Sequence, residues 1–341
     1  MGQRVSGSSP KPDGVPRVSA VIVTWNAADV IDDCLGSLFD GDPSSVEAIV
    51  VDNGSTDGTV ERVTGAFSDV VTIETGANLG FASAANIGIE RAGGSAILLL
   101  NPDTQLLPGA LRELTAALDS NPRVGAAGPR LTESNGRAHN HAAKRFPSPW
   151  FALARQIGIS ELLNRLGRGE GLAAGIKGSP ARVPCLPGAA LLVPREVFER
   201  IGYLDESLPM YLEDLDLCAR IGSADLDLMY VPDSNVIHEA GHSSTRSPRR
   251  DLLFQMQIGQ APWMYLRRYR GRHAAFAYTA ALLLGATLRL VALAPLVALA
   301  RLSGRADGRL TSLSHRASIL VQWAIGSKAR FLARAWRAFA D

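Results

Sequence analysis

The chain has 341 residues, of which 46% are apolar, and a formal net charge of +2. That is enough for one large α/β domain with an appendage or for two domains, and it excludes a collagen-like or wholly disordered chain. The charge is uneven: residues 244–341 hold 16 Lys+Arg against 3 Asp+Glu, and residues 1–243 hold 19 against 30, so the tail reads as a membrane-surface or polyanion-binding appendage; the partner expected is an anionic membrane surface and not nucleic acid.

In chain order, residues 1–16 are rich in Ser, Pro and Gly without an apolar run, which predicts a disordered tail rather than a signal peptide. From residue 18 the pattern alternates as βαβ units do. Strands are expected at 18–24, 46–52, 70–74 and 96–101. Helices are expected at 28–39, through Val60 and Val63 after a cap at Ser55 or Asp57, at 81–91 and at 108–120. This predicts a right-handed doubly wound sheet over 17–130. No G-x-G-x-x-G follows the first strand, where TWNAADV stands instead, so a Gly-rich pyrophosphate cradle is excluded there.

Residues 131–184 break the rhythm and read as an irregular acceptor-binding and lid region. Sheet and helix signals return at 185–194, 195–201, 213–221 and 226–240, so 131–245 forms a second half. Residues 246–341 read as a helical, basic, membrane-associating region. In its apolar stretch 274–300 the longest charge-free run, 274–288, has 15 residues, too few to span a bilayer. An interfacial helical hairpin flanked by arginines is therefore expected, with a tilted span and a core or oligomer interface as the other readings. Cys34, Cys185 and Cys218 are odd in number and form no C-x-x-C pair, which predicts buried, inert thiols in a reduced, cytoplasmic setting.

Four patches carry the chemistry: VDNGSTD, LLLNPDT, MYLEDLDL and VIHEAGH. Asp52 and Asp103 each follow an apolar run, which places them at the carboxyl ends of buried strands, the edge where open α/β sheets bind ligands. With Glu213, Asp214 and His238 they read as a divalent-metal site for a phosphorylated substrate, Mg²⁺ or Mn²⁺, plus a general base. His242 is a weaker metal candidate. Asp216 is spaced to pair with Arg220. His139 and His141, in the irregular stretch, read as exposed.

Taken together, VSAVIVTWNAADVIDDCLGSL, VDNGSTDGT, TGANLGFASAANIGI, LLLNPDT and GAALLVPREVFERIGYLDESLPMYLEDLDLCARI resemble a family 2 glycosyltransferase of the GT-A fold. The NLGFA, NPD and ED-x-DL strings resemble bacterial rhamnosyltransferases. The resemblance covers residues 18–244 and implies an inverting transferase that uses a nucleotide-sugar donor and a divalent cation. It places Thr24, Asn26, Asp52, Asn78, Gly80, Phe81, Asn86 and Asn101 around the nucleotide sugar, with Asp52 accepting from the base. Asp103 would hold the metal with His238, Asn101 replacing the first acid of a D-x-D pair. The general base would lie on the Glu213–Asp214 pair, with Asp214 as base and Glu213 orienting or binding acceptor. The implied donor is dTDP-L-rhamnose, with a UDP-sugar as alternative. The implied acceptor is a lipid-linked saccharide or a polysaccharide in cell-envelope glycan synthesis, reached from the inner face of the plasma membrane; homo-oligomerisation stays open. A sugar-phosphate nucleotidyltransferase would want a Gly-rich basic loop after the first strand, and a non-catalytic glycan-binding scaffold would not need Asp52, Asp103, Glu213 and Asp214 together.

Overall fold

The computed structural model describes residues 4–6, 17–39, 46–238, 250–302, 308–331 and 333. His242 and the boundary expected at 245 lie outside them. Four parallel strands, β2 (Val18–Thr24), β3 (Val46–Asp52), β4 (Val71–Glu74) and β5 (Ala96–Leu100), stand in the order β4-β3-β2-β5. All seven residues of β2 and all five of β5 are buried, because helices cover both faces of a parallel sheet and so demand continuous apolar runs. Crossovers run through α1 (Ile31–Phe39), α2 (Thr59–Ala66) and α3 (Phe81–Arg91). Gly88 lets α3 lie close on the sheet: a Cβ there would stand 2.4 Å from Cγ1 of Val21.

Beyond β5 the sheet departs from a purely parallel winding. β9 (Ala190–Pro194) pairs antiparallel with β5, β7 (Val124–Thr132) follows it, and β10 (Asp227–His238) runs parallel to β7. β6 (Thr104–Leu106), directly after the NPD turn, adds antiparallel to the end of β10 and sets His238 opposite Thr104. The helices here are α4 (Ala110–Asp119), α7 (Arg195–Ile201) and α8 (Glu213–Ser223). At the other edge β1 (Arg4–Ser6) pairs antiparallel with β4, so three residues of the stretch expected to be disordered join the sheet, because an open edge offers unpaired backbone groups.

The stretch 131–184 is more regular than its composition suggests. It holds α5 (Pro149–Gln156), α6 (Ser160–Arg165) and the short strand β8 (Ala181–Arg182), which pairs with β10. Ser148 caps α5 by accepting from the Phe151 N–H, with Pro149 in the first turn.

The tail forms α9 (Arg250–Gln255), α10 (Ala261–Tyr269), α11 (Gly271–Leu302) and α12 (Gly308–Ile325). Asp216, fully buried on α8, ties α10 to the sheet domain by accepting from Tyr269 Oη and lying 3.6 Å from Arg268 Nε, while it binds Arg220 Nε at 2.7 Å. The hairpin expected within 274–300 is one unbroken helix that runs through Pro295 and pairs with α12. Its first half is packed on protein: Tyr278, Leu282 and Ala286 are buried, and Arg289 donates to the Arg155 carbonyl on α5 at 2.6 Å. Counting charge-free residues understated this element. Gly271–Ala300 is 30 residues long and apolar enough to cross a membrane by length and composition, and Arg289, engaged on the protein, does not end the helix. The later half exposes Val291 (68%) and Leu299 (64%).

Candidate active site

The carboxyl ends of β2 and β3 are stitched together by side chains. Asp52 is buried, and its Oδ1 accepts from the hydroxyls of Thr24 (3.0 Å) and Ser55, while Oδ2 accepts from the N–H groups of Gly54 (3.2 Å) and Ser55 (2.9 Å). About four acceptor sites exist on a carboxylate. Asp52 therefore organises this loop at the carboxyl ends of β2 and β3. Asn26, in a left-handed backbone conformation (φ 53°), accepts from the Thr56 N–H at 2.8 Å and donates its own N–H to Ser55 Oγ at 2.9 Å. Asp57 accepts from the Ala28 N–H at 3.0 Å and from Thr59. Burial alone would raise its carboxyl, but the hydrogen bonds from Thr59 and Ala28 win and hold it below the usual range.

Asn78 accepts from Asn53 Nδ2 and from the Gly80 N–H, both at 3.0 Å, and Gly80 (φ 86°) turns the chain into α3 at the half-buried Phe81. Thr24, Asn26, Asn78, Gly80 and Phe81 thus line or build one rim. Asn86 does not join them. It is buried, donates to the Leu204 carbonyl (2.9 Å) and Glu206 (3.0 Å), and accepts from the Leu204 N–H (3.0 Å), so it clamps α3 to the loop before α8. Asn101 acts through its backbone, donating to the Ala189 carbonyl at 2.9 Å and accepting from Thr104 Oγ1 at 2.6 Å.

The cluster around Asp103 differs. Asp103, with a side chain only 7% exposed, lies 3.5 Å from Nε2 of His238. The β6–β10 pairing makes this contact. Nδ1 of His238 is shielded from solvent and has no hydrogen-bond partner among the described residues. The ring of His139 lies 5.9 Å from that of His238 and is half-buried, a correction to its reading as exposed; nothing in its sequence neighbourhood signalled the approach. No group of three or more His, Cys, Asp or Glu side chains spaced for a metal occurs among the described residues. One carboxylate and one imidazole at this spacing fit a cation that draws its remaining ligands from phosphate and water.

Glu213 and Asp214 open α8, whose N-terminal dipole favours carboxylates. The pair is not symmetric. Burial, then the neighbouring Asp214 charge, pushes the Glu213 carboxyl well up, and its Oε2 is shielded with no partner among the described residues. Asp214 accepts from the Leu215 N–H at 2.7 Å and faces Nζ of Lys144 at 3.6 Å. A Cβ on Gly188 would stand 3.6 Å from Cβ of Asp214, so that glycine keeps the approach to the acid narrow but open. Tyr211 holds a left-handed backbone (φ 75°), costly for a bulky residue. Its hydroxyl is pushed up to about 12 by burial and then by the charges of Glu213, Asp103 and Asp214, so it feels both acidic groups. Sequence reasoning passed over Tyr211 and Lys144.

A mixed α/β sheet with acids at the strand ends and a second acidic pair on a facing helix defines a GT-A-like glycosyltransferase. In fold, the chain matches the mannosyltransferase PcManGT from Pyrobaculum calidifontis, solved with GDP-Man and Mn²⁺, at a TM-score of 0.58 and 19% identity over 93% of this chain and 88% of that one. In sequence it is 31% identical over 260 residues to the N-acetylglucosaminyl-diphospho-decaprenol L-rhamnosyltransferase of Mycobacterium tuberculosis, covering 68% of this chain and 79% of that protein. It is 27% identical over 233 residues to the low-salt glycan biosynthesis hexosyltransferase Agl10 of Haloferax volcanii, covering 67% and 69%. The profile described as "Glycosyl transferase family 2" matches residues 19–178. The chain belongs to glycosyltransferase family 2 and is an enzyme.

Proposed function

We propose that this enzyme is an inverting, metal-dependent transferase that moves L-rhamnose from dTDP-L-rhamnose to a lipid-linked saccharide or polysaccharide acceptor in cell-envelope glycan synthesis. The observation that carries the chemistry is the nearness of two acidic groups, Asp103 with His238 and Glu213 with Asp214, whose charges both act on the buried Tyr211 hydroxyl. The donor and acceptor follow from the printed activity of the mycobacterial relative.

The stitched rim holds the nucleotide, with Thr24, Asn26, Asn78, Gly80 and Phe81 in or beside its pocket. Asp103 and His238 would hold Mg²⁺ or Mn²⁺, which neutralises the charge of the departing diphosphate. Asp214 takes the proton of the acceptor hydroxyl as the hydroxyl oxygen attacks the anomeric carbon from the face opposite the diphosphate. Glu213 orients the acceptor. The exposed later half of α11 and the arginines of the tail set the enzyme on the inner face of the plasma membrane, beside a lipid-linked acceptor.

A panel of dTDP-, UDP- and GDP-sugars, with Mn²⁺ or Mg²⁺ and with chelator, tests the reading. Release of dTDP from dTDP-L-rhamnose that is lost with chelator and in Asp103→Ala is expected; metal-independent turnover removes Asp103 from the mechanism, and release of UDP alone replaces the donor. For the membrane, vesicle sedimentation should rise with anionic lipid and fall with salt. Equal sedimentation with neutral vesicles would sink that part.

A further inference from the structure

We propose that Lys144 is a positioning residue for the transfer reaction, its ammonium fixing the Asp214 carboxylate as the charged member of the Glu213–Asp214 pair. The inference rests on the reading of Asp214 as general base.

Lys144 is carried to the site by backbone rather than by a swinging side chain. Its N–H donates to the Cys185 carbonyl at 3.0 Å, and the flanking residues are held by Leu172 N–H to Ala143 carbonyl (2.7 Å) and Arg145 N–H to Glu170 carbonyl (2.8 Å). The segment thus bridges residues 170–172 and the approach to β9. From there Nζ reaches to 3.6 Å from Oδ2 of Asp214, with side chains only 20% and 13% exposed. The other oxygen of Asp214 accepts from the Leu215 N–H. The carboxylate is therefore gripped from two sides, while Glu213 Oε2 is gripped by nothing among the described residues.

The charged and titratable groups facing this pair are few. Glu213 and Tyr211 approach along the chain, Cys185 lies before β9, and Glu170 and Cys218 face Lys144 from its other sides. Burial keeps the Cys185 thiol and the Tyr211 hydroxyl neutral. One ammonium thus stands before two adjacent acids and compensates one of them; a second buried carboxylate would be uncompensated, so it holds its proton. Proximity selects Asp214 as the ionised one. In the transfer step the acceptor O–H proton passes to Asp214, the acceptor oxygen bonds to the anomeric carbon, and the electron pair of the breaking C–O bond leaves with the diphosphate.

The test is the pH profile of kcat and the donor KM for the full chain from pH 5 to 9, with dTDP-L-rhamnose or whichever nucleotide sugar of the panel turns over. Lys144→Met and Lys144→Gln should lower kcat about tenfold or more across this range and leave donor KM unchanged. Lys144→Arg should restore kcat. If kcat stays near wild type in both neutral variants, or if Lys144→Arg fails to restore it, Lys144 is structural and the inference is overturned. If Asp214→Asn turns over like wild type, it is the base assignment that has failed, and this inference falls with it.

Discussion

Two clusters at this end of the sheet are built on opposite terms. Around Asp52 the polar groups hold one another: Asp52 spends both oxygens on Thr24, Gly54 and Ser55, and Asn78 and Asn26 close the adjacent turns. In the acidic cluster the structure tolerates what cores avoid, including an unpartnered Glu213 oxygen, an unpartnered His238 nitrogen and a bulky tyrosine in a left-handed conformation. Saturated networks rigidify, and unsaturated ones keep capacity for something that arrives later. Substitutions in the acidic cluster should therefore cost activity without cost to the fold, and substitutions in satisfied networks should cost the fold first.

The largest effect is expected from Asp214→Asn. Loss of a general base typically costs 10²- to 10⁴-fold in rate, and donor affinity by calorimetry should persist. Its melting temperature should stay near wild type, because Glu213 stands ready to take up the charge of Lys144. A variant crippled only by Glu213→Gln would reverse the roles within the pair. Next is Asp216→Asn, which leaves Arg220 and Arg268 facing a neutral amide inside the junction of α8 and α10. Breaking a buried pair costs about 3–5 kcal/mol, measurable by chemical denaturation; a loss near zero would mean that the tail is not held through this residue.

Asp52→Asn sharpens the contrast. Hydrogen bonds to a charged group contribute about 1.5–3 kcal/mol, so the variant should lose stability of that order and lose nucleotide binding only in proportion. A changed nucleotide preference at unchanged stability would return Asp52 to base reading. The smallest effect concerns pH. The Glu213 carboxyl is raised in the folded state, so the native chain binds more protons than the unfolded one between the ordinary glutamate range and the raised value, and stability falls as pH rises through that window. Glu213→Gln should thus raise the melting temperature at pH 8 and barely change it at pH 4; an equal shift at both would show that Glu213 does not carry this burden.

By itself the sequence determined the parallel half of the sheet, since doubly covered strands need largely apolar runs and 18–24, 46–52 and 96–100 supply them, with Ser19 and Glu47 as the polar exceptions inside. It also determined that acids stand at the ends of those strands and at the start of α8, positions written in local pattern. The helix α5 was missed: Ser148 and Pro149 mark its start, but the surrounding Arg, Gly and Asn obscured its periodicity. Contacts between distant segments belonged to tertiary structure alone. The antiparallel β9 and the β6–β10 pairing bring His238 to Asp103, the segment around Ala143 brings Lys144 to Asp214, and Asn86 is drawn to Leu204. A strand's own residues specify that it is buried on both faces but not which neighbour it pairs with, and a lone lysine or histidine carries no periodic signal. Their roles come from which edges the packed core sets side by side.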